Sequence, residues 1–161
     1  MPPRGIFALM ADDLDLARAD RAFAARFFNE TWDYLDKPSR TEAETEAMLH
    51  CCHASFHHWT RVADATPTNL AIGYWQLSRV YAVAGMPSEA ERYAQRCQEA
   101  ARTPGAEAWV MGSAHEALAR AASLRGDRAA RDAHLAAARA VAAQADKETR
   151  DILTRDIESV P

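Results

Sequence analysis

Apolar residues recur every three to four positions along most of the chain, and no segment alternates with the period of two that a half-buried strand requires. Breakers divide this helical pattern at even intervals: Pro38, Pro67, Gly85 with Pro87, Pro104 with Gly105, and Gly126. The segments between them predict six helices, over Asp13–Asp36, Glu42–Ala63, Thr68–Ala84, Ser88–Arg102, Ala106–Arg125 and Arg128–Ala145, and a shorter charged helix over Glu148–Glu158. Thr41 followed by Glu44 spells a capping box, and Thr66–Pro67 and Thr103–Pro104 each put a hydroxyl before a first-turn proline. Gly85 and Gly126 supply stops, because a helix commonly ends on a residue in the left-handed conformation. Linkers of a few residues force successive helices to run antiparallel. The expected fold is therefore all-α, a stack of three helical hairpins over 13–145, with an N-terminal segment 1–12 and a final helix in 146–161 placed to cap the stack.

The composition leaves this picture standing and narrows the partners. A chain of 161 residues suits one domain with a continuous core. The formal charge of −4 is spread along the sequence with no basic stripe, so nucleic acid is not an expected partner. No apolar run approaches the ~18 residues of a membrane span, and the early run Ile6–Ala11 is too short for a signal-peptide core. A cytoplasmic protein is expected. Abundant alanine, with Lys37 and Lys147 the only lysines, matches the coding bias of a GC-rich bacterial genome. Cys51, Cys52 and Cys97 are odd in number and do not form a disulfide framework.

The second helix carries the most unusual chemistry, Leu49-His50-Cys51-Cys52-His53-Ala54-Ser55-Phe56-His57-His58-Trp59. At about 100° per residue, Leu49, Cys52, Phe56 and Trp59 form a buried stripe, edged by a second stripe of Glu46, His50, His53 and His57. His53 and His57, one turn apart, can share a transition metal, with Glu46 or His50 as a third ligand and His115 or Glu116 from a facing helix. The alternative is a hydrogen-bonded His53 at the core margin with its neighbours solvated. HExxH, paired CxxC and twin Glu-x-x-His motifs are absent, and no cofactor is expected apart from that metal. Cys52 is expected in the core, and Cys51 would be a reactive thiol only if histidine cations lowered its pKa. Arg125-Gly126-Asp127 is explained by its place in a helix–helix turn, as stop and N-cap.

Tyr74, Leu77, Ser78, Tyr81, Gly85, Ala90 and Cys97 stand at the spacing of interlocking small and large residues in tetratricopeptide repeats, which the third and fourth helices resemble. Leu118, Ala119, Gly126, Leu135 and Ala138 form a fainter second copy, with Ala122 in place of the aromatic and Arg131 where a small residue belongs. The interval from Ser78 to Ala119 is 41 residues, longer than the family's repeat of about 34. The resemblance implies a concave groove that binds a peptide, a partner domain or a small ligand, and it implies no reaction. Carried onto this sequence, the groove positions are Trp75, Arg79, Ser113, Glu116 and Arg120. Arg79 and Arg120 would clamp a carboxylate or phosphate over an apolar platform from Trp75. Alternatively, Glu116 pairs with Arg120 across one turn and Trp75 is interhelical packing. The leading expectation is a non-enzymatic module with a protein or peptide partner, and a homodimer is the further possibility if the final helix does not cap the stack.

Overall fold

The computed structural model describes residues 16–161, so the segment 1–12 and the predicted helical start at Asp13 lie outside the described residues. Within them the chain is all-helical, with seven helices: α1 (Leu16–Leu35), α2 (Glu42–Trp59), α3 (Pro67–Val83), α4 (Pro87–Ala101), α5 (Val110–Leu124), α6 (Arg128–Ala142) and α7 (Lys147–Glu158). The most extensive contacts are α1 with α2, α3 with α4, and α5 with α6, which are the three antiparallel hairpins. Across the hairpins, α1 touches α3, α3 touches α5 and α5 touches α7, whereas the backbones of α2, α4 and α6 come close only to their neighbours in the chain. The odd-numbered helices thus form one connected inner row, and the even-numbered helices lie on the outer side.

Local chemistry explains most of the boundaries. The Thr41 side chain accepts from the Glu44 amide while Glu44 accepts from the Thr41 amide. Thr66 and Asn69 form the same reciprocal cap ahead of Pro67. Gly85 and Gly126 close α3 and α5 with φ of 73° and 74°, where a side chain would be strained. Asp127 caps α6 and Asp146 caps α7, each accepting an amide three residues on.

Three boundaries differ from the pattern. α2 stops at Trp59 rather than Ala63, because Thr60 Oγ1 donates to the His57 carbonyl and Val62 turns inward to 6% exposure. α5 begins at Val110 rather than Ala106. Thr103 bonds back to the Glu99 carbonyl instead of capping, Gly105 takes φ of 92°, and the Glu107 amide is captured by Thr68 Oγ1 at 2.9 Å. α6 ends at Ala142: the Ala143 amide closes a last helical bond to the Arg139 carbonyl, and the Gln144 and Ala145 amides then bond three residues back in tight turns that lead into the Asp146 cap.

Two kinds of side chain hold the hairpins together. Hairpin one meets hairpin two through Met48, Cys52, Leu77 and Val80, flanked by Tyr34, Phe56, Tyr74, Tyr81 and Tyr93. Hairpin two meets hairpin three through small residues: Ala90, Ala94 and Cys97 of α4 pack in clusters with Ala114, Ala117 and Ala121 of α5. Helix α7 covers the end of the stack, burying Leu153 and Ile157 against Ala138 and Ala142. Each of those two side chains contributes roughly 1.5–3 kcal/mol on burial. Gly112 of α5 permits the approach, since a Cβ there would stand 3.1 Å from Leu153 Cδ1 and 3.3 Å from Val141 Cγ1.

Candidate functional site

All five groove positions named from the sequence fall on the inner faces of α3 and α5, and all five are buried: Trp75, Arg79, Ser113, Glu116 and Arg120. Glu116 is the hub, with no exposure at all. It accepts from Trp75 Nε1 at 2.7 Å, from Arg79 Nη2 at 3.3 Å and from Arg120 Nε at 2.8 Å. Arg79 also reaches Asp156 of α7 at 3.0 Å, and its guanidinium lies 5.0 Å from the centre of the Trp75 ring and 5.8 Å from that of Trp32. Arg120 is held by the Ser159 hydroxyl at 2.6 Å and the Ser159 carbonyl at 3.2 Å. Two cations and two carboxylates are therefore interlocked, with Glu116 fully buried and Asp156 partly exposed at the edge. Burial holds the Asp156 carboxyl above its ordinary range against the pull of Arg79, and lowers the Arg120 guanidinium against the pull of Glu116. Arg79 Nε is buried without a hydrogen-bond partner.

The arginines are thus engaged by the chain's own residues, and the i,i+4 pair of Glu116 with Arg120 belongs to a larger network reaching α7. Pattern alone did not reveal Trp32, Asp156 and Ser159 as members, because they come from helices far apart in the sequence. The open part of the inner face lies beside this network. A hollow of about 310 Å³ is lined by Phe28 and Asn29 of α1, Trp59, Asn69 and Ile72 of α3, and Trp109. A second, of about 220 Å³, shares Ile72 and Trp109 and continues along Trp75 and Ser113 to Ile152 and Leu153 of α7. The two adjoin at Ile72 and Trp109 and make a tryptophan-lined trough over the odd-numbered helices, with Trp59 reaching in from the end of α2.

On the outer side, burial on α2 is centred on Met48, Cys52 and Ser55, so the expected stripe is shifted: Leu49, Phe56 and Trp59 are only half-buried, while Glu46, His50, His53 and His57 are exposed. Glu46 and His50 approach to 3.8 Å in an exposed pair. His53 turns away from His57: its Nε2 is 2.8 Å from Tyr81 Oη, and its ring stands edge-on to Tyr81 and Tyr93. His57 instead packs edge-on to His58, whose Nδ1 is 2.7 Å from Asp20. Among the described residues, no three His, Cys, Asp or Glu side chains gather where they could hold a metal ion. His115 joins neither His53 nor His57, and its Nδ1 is 3.1 Å from that of His134 across α5 and α6. Burial lowers the pKa of His53, His115 and His134 below 6.5. Histidine cations do not activate the Cys51 thiol: burial and the Glu30 carboxylate push its pKa up to about 11, which leaves it a thiol.

No described helix is long and apolar enough to cross a membrane. No protein-family model matches the chain, and neither a curated protein nor a solved structure matches it.

Proposed function

We propose that the chain is a non-catalytic interaction module of the tetratricopeptide kind, which holds an amphipathic segment of a protein partner in the trough along α1, α3 and α5. The observation that carries the reading is the trough itself: Trp59, Ile72 and Trp109 line one hollow, and Ile72 and Trp109 also line the adjoining one that runs on to Ile152 and Leu153. Large aromatic side chains around a hollow provide the anchoring pockets on which protein interfaces depend. The chain's own α7 supports the choice of an amphipathic helix, since it rests on the same side through Leu153, Ile157 and Asp156. In this reading the buried arginines set the shape of the inner face and the trough takes the ligand. Three unpaired thiols fit a reducing, cytoplasmic setting.

A photocrosslinking amino acid placed at Ile72 or at Trp109 tests the reading in cells. Both positions should label the same partner, and a probe at His50 on the outer face should not. The partner should be lost when Trp59→Asp is added. Equal labelling from inner and outer positions would overturn the proposal.

A further inference from the structure

The outer side holds a second hollow, built differently from the trough. Because the backbones of α2 and α4 stay apart and meet only through side chains such as His53 and Tyr93, the gap between them is floored by α3 and stays open as a cleft of about 320 Å³. His53 and Phe56 enter from α2, Tyr74 from α3, and Arg92, Tyr93 and Arg96 from α4; no carboxylate lines it. The rings form a connected wall. Tyr74 and Tyr93 stack at 6.3 Å and 25°, Tyr93 and Tyr81 at 5.4 Å and 14°, and Phe56 meets Tyr74 at 4.4 Å.

The positive charge beside this wall is placed by the same rings. Arg92 lies 4.6 Å from the centre of the Tyr93 ring and donates to its hydroxyl at 3.0 Å, which fixes the guanidinium at the rim. Arg96 follows one turn later, and its pair with Glu99 at 3.4 Å is exposed on both sides, an arrangement that costs little to exchange for another anion. Burial, and after it the neighbouring Arg92, lowers the His53 pKa from 6.5, which disfavours a third positive charge beside the two guanidiniums.

From this juxtaposition of an aromatic wall with two adjacent guanidinium forks, we infer that the cleft between α2 and α4 is a binding site for a small planar aromatic carboxylate. The rings would pack against Tyr74, Tyr93 and Phe56, and the carboxylate would be gripped by Arg92 and Arg96. The size suits a ligand of one or two fused rings, at the small end of the range for ligand pockets.

The probe is 2-naphthoate, titrated into the full chain and followed by the NMR signals of the tyrosine rings and of the arginine side-chain Nε–H groups. The expected result is saturable binding with shifts at Tyr74, Tyr93 and Arg92. The neutral isostere 2-naphthamide should bind at least about tenfold more weakly, the loss of one charge-assisted interaction. The variant Arg92→Ala plus Arg96→Ala changes two exposed side chains, so its melting temperature should hold while naphthoate affinity falls by a similar factor. No saturation below millimolar concentrations overturns the site. So does equal affinity for acid and amide, undiminished binding by the double variant, or shifts confined to Trp59 and Trp109.

Discussion

The two seams between hairpins solve the same packing problem with opposite materials. Between the second and third hairpins, alanines and Cys97 let α4 and α5 pack more extensively than α2 and α3 do, and the seam closes. Between the first and second, tyrosines and Phe56 prop the helices apart and leave a cleft. The seams also differ in polarity. The closed one shelters the ion cluster around Glu116, whereas the open one is stitched by neutral bonds such as Gln76 Nε2 to the Phe28 carbonyl and Cys52 Sγ to Gln76 Oε1. Close approach excludes water and so demands that charges be satisfied internally; looser packing leaves room for something else to enter.

Removing the hub of the closed seam should produce the largest effect. Glu116→Ala leaves two buried guanidiniums without their shared carboxylate and should cost about 3–5 kcal/mol. For a chain of this length that corresponds to a drop of roughly 10 °C or more in Tm. Replacing Glu116 and both arginines together by apolar residues should recover much of it, because desolvating the charges is itself expensive. Denaturant unfolding of Glu116→Ala that differed from the parent by only a few tenths of a kcal/mol would mean that the cluster is solvated in solution.

Next in size is overpacking. Ala94→Leu, fully buried against Ala71, Ala114 and Ala117, should cost about 1–3 kcal/mol. Phe56→Trp, beside the cleft, should be tolerated with a much smaller loss. Comparable losses at both sites would erase the distinction between a full seam and an open one.

How far the sequence reveals each seam depends on the range of the interactions. Helix number, hairpin pairing and the caps at Thr41 and Thr66 are local, fixed within four residues, and they are readable from the pattern. The five inner positions, Trp75, Arg79, Ser113, Glu116 and Arg120, follow from the resemblance to the repeat rather than from spacing alone. What those residues do is set by residues far away: Asp156 stands 77 positions from Arg79, and Ser159 stands 39 from Arg120. Spacing within one helix carries no record of such partners. The same limit applies to His53, whose hydroxyl partner Tyr81 lies 28 residues on. The helix start expected at Ala106 fails for a similar reason, because Thr68 captures the Glu107 amide from another hairpin.

Gly73 sharpens the contrast at lower cost. A Cβ there would lie 2.6 Å from Phe56 Cδ2, so Gly73→Ala must push the ring towards the cleft. Alanine's better helix propensity, worth up to about 1 kcal/mol, opposes the clash, and a net destabilisation of about 1 kcal/mol is expected. Adding Phe56→Leu should relieve the clash, so the double variant should be more stable than the two separate losses predict. Simple additivity of the two changes would show that the ring is not the obstacle.

The smallest effect concerns protonation, and it separates the aromatic seam from the third hairpin. His53, His115 and His134 all have folded pKa values below 6.5, so the unfolded chain takes up their protons first as the pH falls. Their contribution to stability is complete above 6.5 and declines as the pH drops through 6.5 towards the lowered values. The carboxylates Asp20, Asp64 and Asp146, lowered from 3.8, weaken the fold in a separate and more acidic window. Within the histidine window the pair in the third hairpin should dominate. At 3.1 Å one Nδ1 must donate to the lone pair of the other, and protonating the acceptor replaces that bond with two facing N–H groups. His53 has a hydroxyl partner that can reverse its role and accept instead. Denaturant midpoints measured from about pH 7.5 to pH 5 should therefore flatten more in His134→Gln than in His53→Gln. Equal flattening would place the proton sensitivity in burial alone, independent of which seam or hairpin holds the ring.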